Sequence, residues 1–242
     1  MVKSLDLPTQ KHGSLNGYIN IISKMNYIFK ENGDKLEFIG DFDSLYKNED
    51  DPWNQSGKDG EISHYYVHSR RRLVNQLKEI NPGSLLEVGC GLGYTTQIIQ
   101  ESLPRCSVVG MDISNIATTK AGKLFPNLDF MTDDISGSKF HSEMKYDVVI
   151  LNQLLWYILK SLFETFENCF SILNSNGRIV ISQAFLQAPQ KYGKDICDGF
   201  DGLMSYLNEN MNHRFKIEYS NLEDSNSFVH NDGLIILNKH GS

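Results

Sequence analysis

One stretch limits this chain more than any other: Leu85-Leu86-Glu87-Val88-Gly89-Cys90-Gly91-Leu92-Gly93-Tyr94. An apolar run of strand character breaks into three glycines separated by single residues, and the helix-like stretch Tyr94 to Leu103 follows. The glycines therefore fall at a strand-to-helix turn. Glycine lacks a Cβ, so it permits a tight turn and lets backbone approach a ligand closely.

The surroundings of this turn repeat its pattern. Beyond residue 84, the apolar runs Leu85–Val88, Val108–Met111, Leu128–Met131, Val148–Leu151 and Ile179–Ile181 alternate with helix-like stretches. Those stretches are Tyr94 to Leu103, Ile116 to Leu124, Ser161 to Leu173 and Asp195 to Asn210. Near-continuous apolar runs mark strands buried on both faces, and the alternation predicts right-handed crossovers and a mostly parallel sheet flanked by helices. Phe215 to Tyr219 and Leu234 to Leu237 have no helical period between them. They are expected to pair as an antiparallel hairpin at the sheet's edge. The fold class is α/β and Rossmann-like.

Residues 1–83 form an N-terminal extension to a core domain spanning 84–242. Within it, Tyr27 to Ile39 reads as a hairpin turning at Asn32-Gly33. A loop carries Asp51-Pro52-Trp53, and Glu61 to Ile80 is an expected helix stopped by Asn81-Pro82-Gly83.

Charge and cysteine use narrow the function. A net charge of -7 argues against a nucleic-acid partner, which clustered Lys and Arg would serve. The run Arg70-Arg71-Arg72 is either a solvated helix face or an anion contact. The four cysteines form no C-x-x-C pair, so neither a zinc site nor a disulfide framework is indicated. No signal pattern or membrane-length apolar run is present, and the expected location is the cytoplasm. The oligomeric state is left open.

The register of the glycines decides between cofactors. The dinucleotide fingerprint G-x-G-x-x-G fails because its third position is Tyr94, and no Gly-Lys-Ser/Thr follows for a P-loop. The pattern Glu87-x-Gly89-x-Gly91-x-Gly93 instead resembles motif I of class I S-adenosylmethionine-dependent methyltransferases. Asp112 ends the second core strand, where a carboxylate can accept both ribose hydroxyls. Asp133-Asp134-Ile135 follows the third strand, and the resemblance places there an acid that binds the adenine amino group, with Asp134 in better register than Asp133. It implies S-adenosylmethionine as cofactor, held by Glu87, Gly89, Cys90, Gly91, Asp112, Ile113, Asp133, Asp134, Ile135 and Asn152.

The segment after the fourth strand faces the acceptor in that family, which makes Gln153, Trp156 and Tyr157 candidate substrate contacts. Trp156 and Tyr157 equally suit helix packing. Upstream, Leu45-Tyr46, Asp51-Pro52-Trp53, Tyr65-Tyr66 and the Arg70 region look like the segment that covers the cofactor in nodulation-factor N-methyltransferases and related small-molecule enzymes. Trp53 and Tyr192 are then further acceptor contacts, and Arg70 is placed to meet the cofactor's methionine carboxylate.

The expected activity is methyl transfer to the oxygen or nitrogen of a small, sugar- or nucleotide-linked acceptor. A hydroxyl acceptor needs a base, and His64 and His68, one helical turn apart, are the candidates. A subunit that binds the cofactor without transferring its methyl is the alternative.

Overall fold

The computed structural model describes residues 26–32, 35–56, 64–187, 189–224 and 230–240. Strands β1 (Phe29–Asn32) and β2 (Lys35–Phe38) pair antiparallel as a separate ribbon. Of the turn expected at Asn32-Gly33, Asn32 ends β1 and Gly33 lies outside the described residues. Next come α1 (Phe42–Asn48) and α2 (His64–Ile80). Residues 61–63, the expected start of α2, are also outside.

The main sheet follows as β3 (Ser84–Val88), α3 (Tyr94–Ser102), β4 (Ser107–Asp112), α4 (Asn115–Leu124), β5 (Asp129–Thr132) and β6 (Tyr146–Asn152). It continues with the short helix α5 (Leu155–Ile158), α6 (Leu162–Ile172), β7 (Leu173–Leu186), α7 (Gly199–Asn210), β8 (Phe215–Glu223) and β9 (His230–Lys239). The spatial order is β5-β4-β3-β6-β7-β9-β8. Strands β3 to β7 run parallel, and β9 is antiparallel to both β7 and β8.

The apolar runs form strands because each has two faces to bury. In β6, Val148 and Ile150 join Leu85, Val108 and Val180 beneath α2 and α3, where Leu73, Leu77 and Ile99 close the layer. Val149 and Leu151 point the other way, with Leu86, Val88, Ile179 and Ile181, against Phe166 and Cys169 of α6 and Leu203 and Leu207 of α7. Burial of one such aliphatic side chain is worth about 1.5–3 kcal/mol, so the two layers supply most of the driving force.

The segment around Leu45-Tyr46 is helical: Asp41 caps α1 by accepting the Ser44 N–H at 3.1 Å, and Leu45 and Tyr46 turn inward. The helix expected from Asp195 begins at Gly199. Ile196 and Cys197 N–H both donate to the Gly193 carbonyl in a turn of their own, and Gly199 at φ +66° leaves the helical region. The C-terminal strands pair antiparallel at the sheet's edge as expected, with β9 between β7 and β8 and β8 outermost.

Candidate functional site

The carboxyl ends of β3, β4, β5 and β6 open into a cavity of about 340 Å³, roofed by β2, α1 and α2. That volume lies within the ~300–1,000 Å³ range of small-molecule sites, and the position is where open α/β sheets hold ligands.

The glycine turn is the cavity's floor. Gly89 and Cys90 N–H donate to the Met111 carbonyl, which ties the turn to β4. Gly91 sits at φ +55°, and a Cβ there would lie 2.6 Å from the Tyr46 hydroxyl. Only glycine fits both the backbone and the space. Asp112 holds the turn from the neighbouring strand: one carboxylate oxygen accepts the Gly91 N–H at 2.8 Å, the other the Ser114 N–H at 2.9 Å. Burial raises the Asp112 carboxyl, and these two donors oppose the rise.

Glu87 lies deeper, 1% exposed. Thr96 donates its hydroxyl at 2.6 Å and Asn152 its amide at 3.1 Å. Burial nevertheless pushes the Glu87 carboxyl up to about 7. The sign follows from proton linkage. Between the ordinary value of 4.5 and about 7 the folded protein holds a proton that the unfolded chain has lost, so this group's contribution to stability falls as pH rises through that window. The whole swing is about 3 kcal/mol. Glu87→Gln removes the titration, and the Thr96 hydroxyl can turn to accept. Urea midpoints from pH 4.5 to 7.5 should show wild type losing that stability relative to the variant as pH rises. Parallel pH dependence in the two proteins would contradict the protonated Glu87.

Arg70 reaches the cavity from α2. Its Nε donates to Thr95 Oγ1 at 3.1 Å and its Nη2 to Gln55 Oε1 at 2.8 Å, and the guanidinium lies 5.6 Å from the centre of the Tyr66 ring. Burial lowers its basicity, and the nearby carboxylate of Glu87 is the main opposing influence. At the ends of β4 and β5, Ile113, Asp133, Asp134 and Ile135 all line the cavity. Asp134 binds its own loop, accepting the Ser136 N–H at 2.9 Å.

Gln153, immediately after β6, adopts φ +55°, unusual for a residue with a side chain. Its carbonyl oxygen accepts the Ala184 N–H at 2.9 Å, and its amide donates to the Tyr65 hydroxyl at 2.9 Å. Tyr65 in turn donates to Asp232 of β9 at 2.9 Å, and Asp232 is paired with Arg72 of α2. This buried chain fastens the cavity's roof helix to the sheet.

Glu87, Gly89, Cys90, Gly91, Asp112, Ile113, Asp133, Asp134, Ile135, Asn152, Arg70, Trp53, Gln153 and Tyr157 thus surround one cavity. Three other candidates do not join them. Trp156 turns into the core, donating to the Ala184 carbonyl at 3.0 Å and packing edge-on against Phe185. Successive residues of a helical turn point about 100° apart, so Tyr157 enters the cavity while Trp156 leaves it. Tyr192 packs behind the wall, against Phe29 and Phe38. His68 lies 3.3 Å from the Glu223 carboxylate on the edge strand, because its place on α2 faces β8 rather than the cavity. The side chain of His64 falls outside what the structure describes.

Phe38, Ile39, Phe42 and Gln55 line the cavity without having been singled out from the sequence. Asp43 was also missed; it accepts the Ser114 hydroxyl at 2.6 Å and docks α1 on the start of α4. The cap signal at Asp41 marks α1, but nothing local shows where that helix packs.

The sheet order, with five parallel strands and the antiparallel β9 beside β7, is that of a Rossmann-like α/β fold. Residues 86–179 match the family model of a methyltransferase domain. The chain is 26% identical to putative methyltransferase 235L of Invertebrate iridescent virus 6 over 136 residues, 56% of this chain and 49% of the viral protein. It is 29% identical to malonyl-[acyl-carrier protein] O-methyltransferase 1 of Ilyobacter polytropus over 126 residues, 48% of this chain and 46% of that one. The chain thus spans about half the length of these curated relatives. Among solved structures, it is similar to the N-methyltransferase NodS from Bradyrhizobium japonicum WM9 in complex with S-adenosyl-L-homocysteine. The TM-score is 0.59 at 17% identity, covering 79% of this chain and 93% of NodS.

Proposed function

We propose that the chain is an S-adenosylmethionine-dependent methyltransferase with a core at residues 84–242 and a cofactor-covering extension at residues 1–83. The observation that carries this reading is the Asp112 carboxylate bridging the Gly91 and Ser114 N–H groups at the mouth of β4. The donor set suits the cofactor. Five carboxylates and one guanidinium line the cavity among the described residues, which fits a ligand bearing a sulfonium, an ammonium and one carboxylate.

The bound cofactor supplies an electrophilic methyl on a neutral leaving sulfide. The chain's own contribution is alignment and exclusion of water, which together can remove several kcal/mol from the barrier. Arg70 pairs with the cofactor carboxylate, Asp112 accepts from the ribose, and Asp134 with Asp133 takes the adenine edge. Tyr46 keeps its proton, since burial pushes its phenol well up, and stands over Gly91 as a donor. The acceptor is a small molecule whose oxygen or nitrogen gains the methyl and releases a proton. With His68 turned to Glu223, no histidine base is assigned. Free, buried cysteines suit the reducing cytoplasm, and the acidic cavity suits an acceptor other than nucleic acid. No helix among the described residues is long and apolar enough to cross a membrane.

Calorimetric titration with S-adenosylhomocysteine, with NADH as control, tests the reading. Micromolar binding of the first alone is expected. Preference for NADH would overturn it.

A further inference from the structure

The cavity has two chemically different ends. Carboxylates cluster at the ends of β3 to β5, whereas the end beneath the hairpin is walled by Phe38, Phe42, Trp53 and Tyr157, with Ile39 at its rim. Tyr157 is the hub of that wall. Its ring centre lies 5.3 Å from Phe42, 6.2 Å from Phe38 in a stacked arrangement, and 6.2 Å from Trp53. The Trp53 indole N–H is already bound to the Tyr46 hydroxyl at 3.1 Å, so its ring is presented as an apolar surface. Offset and edge-on aromatic contacts reward a flat, apolar occupant.

Charge narrows the occupant further. The guanidinium of Arg70 is the only cationic side chain lining the cavity among the described residues, and Thr95 and Gln55 hold it at the cofactor end. Asp51, two residues before Trp53, accepts the Gln55 and Ser56 N–H groups at 2.9 and 2.6 Å. An anionic acceptor would lose its hydration without gaining a counter-charge, and it would meet five carboxylates in the same cavity.

We infer that the aromatic compartment takes a flat, apolar acceptor uncharged at the methylated end, and that it discriminates against carboxylates and phosphates. This rests on the methyltransferase reading and deepens it. The compartment is a poor host for a nucleotide-linked acceptor, whose phosphates would find no partner there. The rim supplies the specificity handle: Ile39 is 47% exposed, so a changed side chain there alters the charge at the mouth without opening the core.

The test is calorimetry on the full chain saturated with S-adenosylhomocysteine, titrated at pH 7 with 2-naphthol and, separately, with 2-naphthoic acid. The pair shares a ring system and differs in charge. Wild type should bind the naphthol at least tenfold more tightly. Phe42→Leu, which keeps an apolar side chain but removes a ring, should weaken the naphthol at least fivefold. Ile39→Lys should tighten the naphthoate at least tenfold by supplying the missing cation, a gain that misfolding cannot produce. Equal or tighter binding of naphthoate to wild type, or binding of neither compound to the saturated protein, overturns the acceptor class and leaves the cofactor reading standing. Failure of S-adenosylhomocysteine itself to bind overturns the methyltransferase reading, and this inference with it.

Discussion

Replacing Asp112 by alanine should weaken S-adenosylhomocysteine binding by at least a hundredfold. Two losses combine. In the proposed function the carboxylate accepts from the ribose hydroxyls, and hydrogen bonds to a charged group are worth about 1.5–3 kcal/mol each. It also holds the glycine turn, since the Gly91 and Ser114 N–H groups both end on it. Without it the turn must reorganise before it can present its backbone to a ligand, a cost charged against binding. Asp112→Asn separates the two effects. The side-chain oxygen keeps one N–H bond while the other is lost, so an intermediate weakening of roughly tenfold, or about 1.4 kcal/mol, is expected. Calorimetry on both variants checks the order. Binding unchanged in Asp112→Ala would remove this residue from the site.

The second large effect concerns stability rather than binding. Asp232 is 2% exposed, yet it accepts from Tyr65 and pairs with Arg72, which also reaches Glu223 at 2.9 Å. Removing one partner of a buried pair leaves the other charge uncompensated and costs about 3–5 kcal/mol. For a chain of this size each kcal/mol is worth roughly 2–4 °C. Asp232→Ala should therefore lower the melting temperature by on the order of 10 °C. Replacing Arg72 as well should recover part of the loss, because the half-buried guanidinium that has lost one of its two carboxylate partners disappears. A drop of only a degree or two in the single variant would mean that water replaces the carboxylate.

What could be read in advance was what is local. The glycine turn and the acids at Asp112, Asp133 and Asp134 are legible because a strand end fixes both their spacing and their exposure. The alternation of apolar runs predicts the parallel sheet for the same reason. Directions of side chains on helices were less accessible. Tyr157 and Trp156 are neighbours in sequence and part company only through the register of a helix four residues long. His68 and Arg70 lie on one helix, two residues apart, and face different surfaces: one the edge strand, the other the cavity. The helix α1 was missed because seven residues give little period to detect, although its cap was visible at Asp41. The place of β9 depends on pairing between strands far apart, information that no window of sequence contains.

That placement of β9 also sets an order of assembly. A ribosome releases β7 first and β8 next, yet neither can pair with the other, because β9 must lie between them. Until residues 230–239 emerge, β7 keeps one open edge and the Tyr65 hydroxyl has no Asp232 to donate to, 167 positions further along the chain. Closing so long a loop is slow, and an unpaired strand edge invites wrong partners in the meantime. The nascent chain can form its glycine turn early and pack α2 on β3, β4 and β6, but the buried Arg72–Asp232 pair between α2 and the sheet forms only when β9 arrives. The step that completes the fold is also the step that secures the roof of the cavity.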